Sequence, residues 1–397
     1  MHAIVIGGGI AGCSTAFALA CQNVKVTLIE RLPDVAQAAS GNPIAMLYPK
    51  LSAISDAASN LGIQGLRYTL DMLKALDPYE LFHASSGQIQ LAFDARTALQ
   101  HAKTAQQPFF HELPFTARFV DAEEASEIAG IPVKHLGLFI PEAGWVDPHV
   151  WCTRLTSLNN IERTLDTTAL RIEHTDHGWR VHSAKQTFEA EHVVLCNAYD
   201  ACELIPQLRS FLTPVRGQIN FAAPSELSQN IRSVICAQHF ISPAVNGLHT
   251  LGTTYANHDM TPECTDCDTK TNLQSLSQIN TDLPKTLDPS LHPGRVGWRC
   301  ATMDYLPMVG QMLDLEALHN KPPRPNASSR TLPWLQGLYV NIGHGSKGMI
   351  TAPLSGDWLA GIITGQIPHN PLLARIQPNR FKMRELGLKQ LAQHIYG

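Results

Sequence analysis

Charge is what this 397-residue chain has least of: Asp, Glu, Lys and Arg make up only 16% of it, against about 25% in an average globular protein. A disordered chain needs high charge and low hydrophobicity. With 44% hydrophobic residues, disorder is excluded for the bulk of the chain. An excess of basic residues is also missing. Thirty Lys and Arg face 34 Asp and Glu, a net charge of −4 with a pI near 6.5. A globally basic nucleic-acid binder is thereby excluded, though a local basic patch is not. No apolar run reaches the roughly 18 residues of a membrane span. The first residues lack the basic region of a signal peptide. Nine cysteines, an odd number scattered over a long chain, do not form a disulfide framework. A reduced, cytoplasmic protein is expected, and the length predicts two or three domains.

The opening residues are the most informative. Ala3-Ile4-Val5-Ile6 is an apolar run suited to a strand buried on both faces. Gly7-Gly8-Gly9-Ile10-Ala11-Gly12 follows, then an Ala- and Leu-rich stretch from Cys13 to Cys21 with helical character, then a second strand, Val24 to Ile29, ending on Glu30. Strand, glycine turn, helix, strand and acid, in that order, form a dinucleotide-binding fingerprint. Gly7 permits the tight turn, Gly9 lets the backbone approach a pyrophosphate, and Gly12 allows helix and strand to touch. The phosphates would lie on the helix N-terminus, where unpaired N–H groups and the dipole favour anions. Glu30 would accept hydrogen bonds from a ribose diol.

Further along, residues 60–76 have helical spacing up to Pro78, and 169–197 alternate like a β-meander leading into the apolar strand His192–Cys196. Residues 213–222 and 248–255 predict strands of a larger sheet. The Pro- and Ser-rich stretch 320–333 predicts an exposed loop. Near the C-terminus a buried strand, Leu338 to Ile342, runs into Gly343-His344-Gly345-Ser346-Lys347-Gly348 and a helix from Met349 to about Ile363. That helix could aim its positive end at a flavin ring and favour the reduced anionic form; the plainer alternative is an N-cap at Ser346. Nucleotide-binding signals at both chain ends predict one domain built from separated segments. We expect residues 1–80, 141–213 and 300–397 to form a Rossmann-type FAD-binding domain of α/β class, with 81–140 and 214–299 forming an antiparallel-sheet substrate domain.

Six blocks occur in order: the first glycine turn with Cys13, Ala39-Ser40-Gly41-Asn42-Pro43, Leu47-Tyr48-Pro49-Lys50-Leu51, Pro214-Val215-Arg216-Gly217-Gln218, Arg299-Cys300-Ala301-Thr302 with Asp304, Leu306 and Pro307, and Gly343 to Gly348. Across nearly the whole chain they resemble the FAD-dependent oxidoreductase half of the bifunctional tRNA 5-methylaminomethyl-2-thiouridine biosynthesis proteins (MnmC), within the broad D-amino-acid oxidase/glycine oxidase superfamily. The resemblance implies non-covalent FAD, held by Gly7, Gly9, Ile10, Ala11, Gly12, Glu30, Arg31, Ser40, Gly41, Asn42 and the run Gly343, His344, Gly345, Ser346, Lys347, Gly348. It implies tRNA as partner, and removal of a carboxymethyl group from 5-carboxymethylaminomethyluridine at the wobble position, releasing glyoxylate. Arg299 would grip the substrate carboxylate with two parallel hydrogen bonds. Lys347 would pair with the carboxylate or the reduced flavin, and Lys50 would contact the carboxylate, a phosphate or oxygen. Tyr255 and Gln218 could line the pocket or simply pack, whereas Arg216 is expected to be structural.

Other signals carry less. Cys264-x-x-Cys267 has ligand spacing without a second pair, so a loop and no metal is expected. The 18 histidines form no ligand constellation, and His344, among small neighbours, is expected to act through its backbone. Arg375, Arg380, Lys382, Arg384 and Lys389, against the single acid Glu385, form a candidate track for tRNA phosphates. Two departures from the family stand out. Met1 lies two residues ahead of the first strand, so the family's methyltransferase is expected to be absent and a separate methyltransferase to act on the product. Cys196-Asn197-Ala198 has alanine where many such flavoproteins place glycine. Rival functions are an oxidase of free glycine, sarcosine or D-amino acids, and a non-catalytic tRNA-binding partner of a methyltransferase.

Overall fold

The computed structural model describes residues 1–52, 56–324, 327–388, 391 and 395. Two compact units are interleaved along the chain: the first comprises Met1–Gly41, His149–Pro214 and Arg299–Gly397, the second Asn42–Pro148 and Val215–Trp298.

The first unit is built on a six-stranded sheet in the order Met308–Leu313, Trp334–Ile342, His192–Leu195, His2–Ile6, Lys25–Ile29, Ile161–Thr164. All neighbours run parallel except the Met308–Leu313 edge, which is antiparallel. Ala3, Ile4 and Val5 and their neighbours Val193 and Val194 are wholly enclosed, as a strand covered on both faces requires. Helices Ile10–Cys21 and Gly348–Ile363 are both apolar nearly all round, the composition of helices buried inside a domain. They approach closely: a Cβ on Gly356 would stand 3.0 Å from the backbone of Ser14 and Thr15. The expected meander is present as Arg171–Thr175, Gly178–His182 and Thr187–Ala190, and Trp179 Nε1 ties it to the Gln336 carbonyl at 2.7 Å. In the 320–333 stretch, Ser329–Thr331 forms a single helical turn; Pro325 and Asn326 lie outside the described residues.

The second unit carries a nine-stranded sheet, mostly antiparallel, that includes Leu212–Ala222, His249–Gly252 and Gln88–Leu91. Helix Ala57–Leu76 ends before Pro78, its N-terminus capped by Asp56. The unit boundaries depart from those expected. Residues 42–80 and 141–148 belong to the second unit, not to the nucleotide-binding half. Main-chain pairing is the reason: Ala45–Leu47 and His83–Ala84 both add to Gly144–Val146, so these segments hold one another. None of the described helices is long and apolar enough to cross a membrane.

Candidate active site

The first unit contains a cradle shaped by its glycines. Gly7 has φ of 109°, and a Cβ there would meet the Asn197 backbone at 2.8 Å. A Cβ on Gly12 would fall 1.8 Å from the Gly7 carbonyl oxygen, so the helix can start this close to the strand only with glycine at 12. At Gly9 a Cβ would meet only Ser40 Oγ, at 3.3 Å, which leaves that face of the turn open to a ligand. Helix Ile10–Cys21 begins here without a side-chain cap on Gly9. Ser40 is buried, and its hydroxyl accepts from Ile10 N at 3.1 Å. The remaining first-turn N–H groups, those of Ala11 and Gly12 among them, have no partner within the helix itself.

Glu30 is buried, with Oε2 accepting from Gly8 N and Oε1 from Leu32 N. A carboxylate offers about four acceptor positions, so the backbone fixes its orientation and leaves capacity for a diol. Asn197 Oδ1, on the segment that touches Gly7, is sealed from solvent with no hydrogen-bond partner among the described residues. An orphaned buried acceptor beside a glycine turn fits a ligand hydroxyl or N–H. The neighbouring Ala198 has φ of 54°. This explains the family's glycine there: the backbone takes the left-handed conformation, which alanine adopts only under strain.

The second turn lies in the same unit. Gly343 has φ of 80° and Gly345 φ of 56°; a Cβ on Gly343 would stand 2.7 Å from Thr302. Gly348 opens helix Gly348–Ile363, which has no side-chain cap, and Ser346 is exposed; the N-cap alternative for Ser346 is not what the turn uses. The expectation of a backbone role for His344 is corrected, because its imidazole anchors a polar network. Asn341 Nδ2 donates to Thr15 Oγ1 (3.0 Å), which makes Asn341 Oδ1 an acceptor for Ser355 Oγ (2.9 Å) and His344 Nε2 (3.0 Å). Nε2 therefore carries the proton, and Nδ1 accepts from Thr351 Oγ1 at 2.8 Å. Burial pushes the imidazole pKa down to about 4, so His344 is neutral.

Arg299 is half-buried in the first unit with Nη1 sealed from solvent. Lys347 is half-buried in the second turn. Arg31 is exposed and paired with Asp200 at 2.9 Å; Gly41 N donates to the Ala38 carbonyl at 3.0 Å. Asn42, Lys50, Tyr255 and Gln218 belong to the second unit. Asn42 Oδ1 accepts from Arg295 at 2.8 Å, Lys50 is exposed, and Tyr255 is 58% exposed. Gln218 is enclosed and its carboxamide is occupied by Thr265 and Thr269, so packing rather than pocket lining describes its place. Arg216 is buried on Asp268 and the Thr261 and Glu263 carbonyls, a structural setting. Burial raises the Cys300 thiol to about 12, leaving little thiolate for covalent chemistry.

The phosphate track loses two of its members. Arg380 is 5% exposed and bound to both Asp304 oxygens. Lys382 pairs with Glu385 at 3.2 Å. Arg375 and Arg384 are exposed, and Lys389 lies outside the described residues. The residues that sequence reasoning missed are Asn341, Thr15, Ser355 and Thr351. Their signal was one polar residue, Asn341, at the end of an otherwise apolar strand.

The chain is similar to known proteins. A bifunctional tRNA 5-methylaminomethyl-2-thiouridine biosynthesis protein MnmC from Methylobacillus flagellatus is 39% identical over 99% of this chain, which spans 61% of that relative. Its namesake from Ectopseudomonas mendocina is 38% identical over 97% of the chain and 60% of the relative. Among solved structures, glycine oxidase from Geobacillus kaustophilus superposes with a TM-score of 0.76 at 19% identity, covering 95% of this chain and 98% of its own. The sequence model of the FAD dependent oxidoreductase family, DAO, matches residues 2–362. A glycine cradle with its orphaned acceptor and a match of that extent have one meaning: the chain belongs to the FAD-dependent oxidoreductase family, as an oxidoreductase with FAD as its cofactor.

Proposed function

We propose that this chain removes the carboxymethyl group from 5-carboxymethylaminomethyluridine, or its 2-thio form, at the tRNA wobble position, leaving 5-aminomethyluridine and glyoxylate. The observation that carries this is the 39% identity, over 99% of the chain, to a protein named for tRNA 5-methylaminomethyl-2-thiouridine biosynthesis. The group removed is an N-substituted glycine, with a carboxylate, a methylene and a secondary amine. Arg299 is the proposed carboxylate ligand, since a guanidinium holds a carboxylate through two parallel bonds. Lys347 is a second cation, set at the start of helix Gly348–Ile363, whose positive end also favours negative charge. The neutral His344, bonded to Asn341 and Thr351, keeps the turn bearing Lys347 in place; it is a positioning residue. Lys50 and Tyr255 are retained as proposed substrate contacts.

FAD, when bound, supplies the acceptor for a hydride from the methylene carbon. The amine proton leaves to solvent, the carbon–nitrogen bond becomes an imine, and water adds to its carbon. Collapse of that adduct yields the primary amine on the uridine and glyoxylate. The chain's own residues act by fixing the carboxylate, which sets the position of the methylene two bonds away.

Anaerobic loss of the flavin's visible absorbance tests this directly. Holoenzyme mixed with tRNA bearing carboxymethylaminomethyluridine is expected to bleach and release glyoxylate, while free glycine and sarcosine leave it oxidised. Arg299→Ala should retain FAD and lose at least about 100-fold in bleaching rate, the scale of a lost charge-assisted clamp. Bleaching by the free amines and not by the tRNA would move the chain to the amino-acid oxidases.

A further inference from the structure

Strand Arg295–Thr302 is followed by a tight turn, Met303 to Pro307, before Met308–Leu313 begins. Tyr305 sits there with φ of 59°, a left-handed conformation that bulky residues avoid. Its side chain is 82% exposed, and Met303 beside it is 60% exposed. Such a conformation persists only where the surroundings over-determine it. Arg380 does so from beneath. Its Nε donates to Asp304 Oδ2 (2.9 Å) and its Nη2 to Asp304 Oδ1 (2.8 Å) and the Leu306 carbonyl (2.7 Å), while Nη1 reaches the Pro307 carbonyl (3.1 Å). Thr302 Oγ1 also donates to the Leu306 carbonyl at 2.7 Å. The guanidinium lies over Phe381, which stacks on Phe211. The core thus holds the Asp304 carboxylate and the Leu306 and Pro307 carbonyls and leaves the Tyr305 ring exposed.

The two short helices that follow residue 371 carry four basic residues, Arg375, Arg380, Lys382 and Arg384, against one acid, Glu385. Arg384 lies one turn beyond Arg380 on helix Arg380–Glu385, Arg375 lies on the preceding helix Leu372–Ile376, and both are exposed. Among the described residues neither takes part in an ion pair. Asp304 is engaged by Arg380 and Glu385 by Lys382. An exposed ring on a held turn, with exposed guanidinium groups on the helices that hold it, is the combination that binds unpaired nucleic acid, the ring stacking on a base and the cations taking phosphates.

We propose that the Met303–Pro307 turn is an RNA-binding face, with Tyr305 stacking on an unpaired base of the substrate's anticodon loop and Arg375 and Arg384 holding its backbone. This rests on the proposal that the substrate nucleotide lies within RNA. A tyrosine presented by a held turn loses little backbone freedom on binding, which accounts for a strained residue at an exposed position.

The test is the affinity of the FAD-loaded full chain for a fluorescently labelled anticodon stem-loop, read by anisotropy over a range of salt. Tyr305→Ala is expected to weaken binding by roughly 5- to 100-fold, the effect of losing one stacked base, and Tyr305→Phe to bind like the wild type. The double change Arg375→Gln and Arg384→Gln should reduce the slope of log affinity against log salt by about 1.5. Tyr305→Gly relaxes the backbone, so its Tm is expected to rise by about 1–2 °C while RNA affinity falls; retention of FAD shows that each variant has folded. Wild-type affinity in Tyr305→Ala, or equal losses in the Ala and Phe variants, would overturn the proposal. So would the absence of stem-loop binding by the wild type. Flavin bleaching separates this from the reaction: Tyr305-dependent RNA binding without bleaching leaves the surface standing and removes the proposed oxidation. Bleaching by modified tRNA that Tyr305→Ala leaves intact does the reverse.

Discussion

His344 is held neutral between two hydrogen-bond partners, with Nε2 on Asn341 and Nδ1 on Thr351. In the unfolded chain it titrates near 6.5 and in the folded protein burial holds it to about 4. Between those values the unfolded state binds more protons. The stabilising effect is therefore complete above pH 6.5 and is lost as the pH falls toward 4. Two and a half pKa units correspond to about 3 kcal/mol. The expected outcome is a drop in Tm on acidification across this window that is much smaller in His344→Gln, whose carboxamide does not titrate; equal drops in the two proteins would contradict it. Asn341 is a residue of the same kind, since it satisfies three polar side chains at once.

At the scale of elements, the contact between helices Ile10–Cys21 and Gly348–Ile363 sets the spacing of the two glycine turns that begin them. Gly356 is a point of close approach, with backbone rather than a flexible side chain facing it. Gly356→Val would push the helices apart, because neither the Ser14 carbonyl carbon nor the Thr15 nitrogen can yield. Overpacking of this kind costs about 1–3 kcal/mol, and the change should also weaken FAD binding although residue 356 lies eight positions beyond the turn. Denaturant unfolding of the apoprotein and a fluorescence titration with FAD measure the two effects separately. Unchanged affinity with lowered stability would show that the turns hold their shape independently of the helix contact.

For the molecule as a whole, FAD should act as a folding ligand of the first unit. Binding only to the native state stabilises by mass action, about 2.7 kcal/mol at a free concentration one hundred times Kd. Tm should therefore rise with added FAD, and Gly12→Ala should abolish the rise, since its Cβ would lie 1.8 Å from the Gly7 carbonyl. A Gly12→Ala protein whose Tm still climbs with FAD would show that the cradle is elsewhere. The first glycine turn, Glu30, the helix after Gly348 and the meander around Trp179 were all legible from residue order alone. Each depends on neighbours within about thirty residues, where periodicity and turn chemistry operate. The unit boundaries were not, because segments 42–80 and 141–148 are claimed by the pairing of Ala45–Leu47 with Gly144–Val146, about a hundred positions apart.

Sequence by itself determined the dinucleotide fold, the family and the residue types of the cradle, because local patterns and ordered motifs dictate those. Tertiary structure decided which polar groups are available for work. Arg380 and Lys382 look like part of a basic track in one dimension, but one is buried on Asp304 and the other is paired with Glu385. Gln218 spends its carboxamide on Thr265 and Thr269, whereas His344 uses its ring and not only its backbone. Tyr305, unremarked in the sequence, stands out only once its backbone angle and exposure are known. Burial and pairing are properties of distant residues brought together, and no local pattern encodes them.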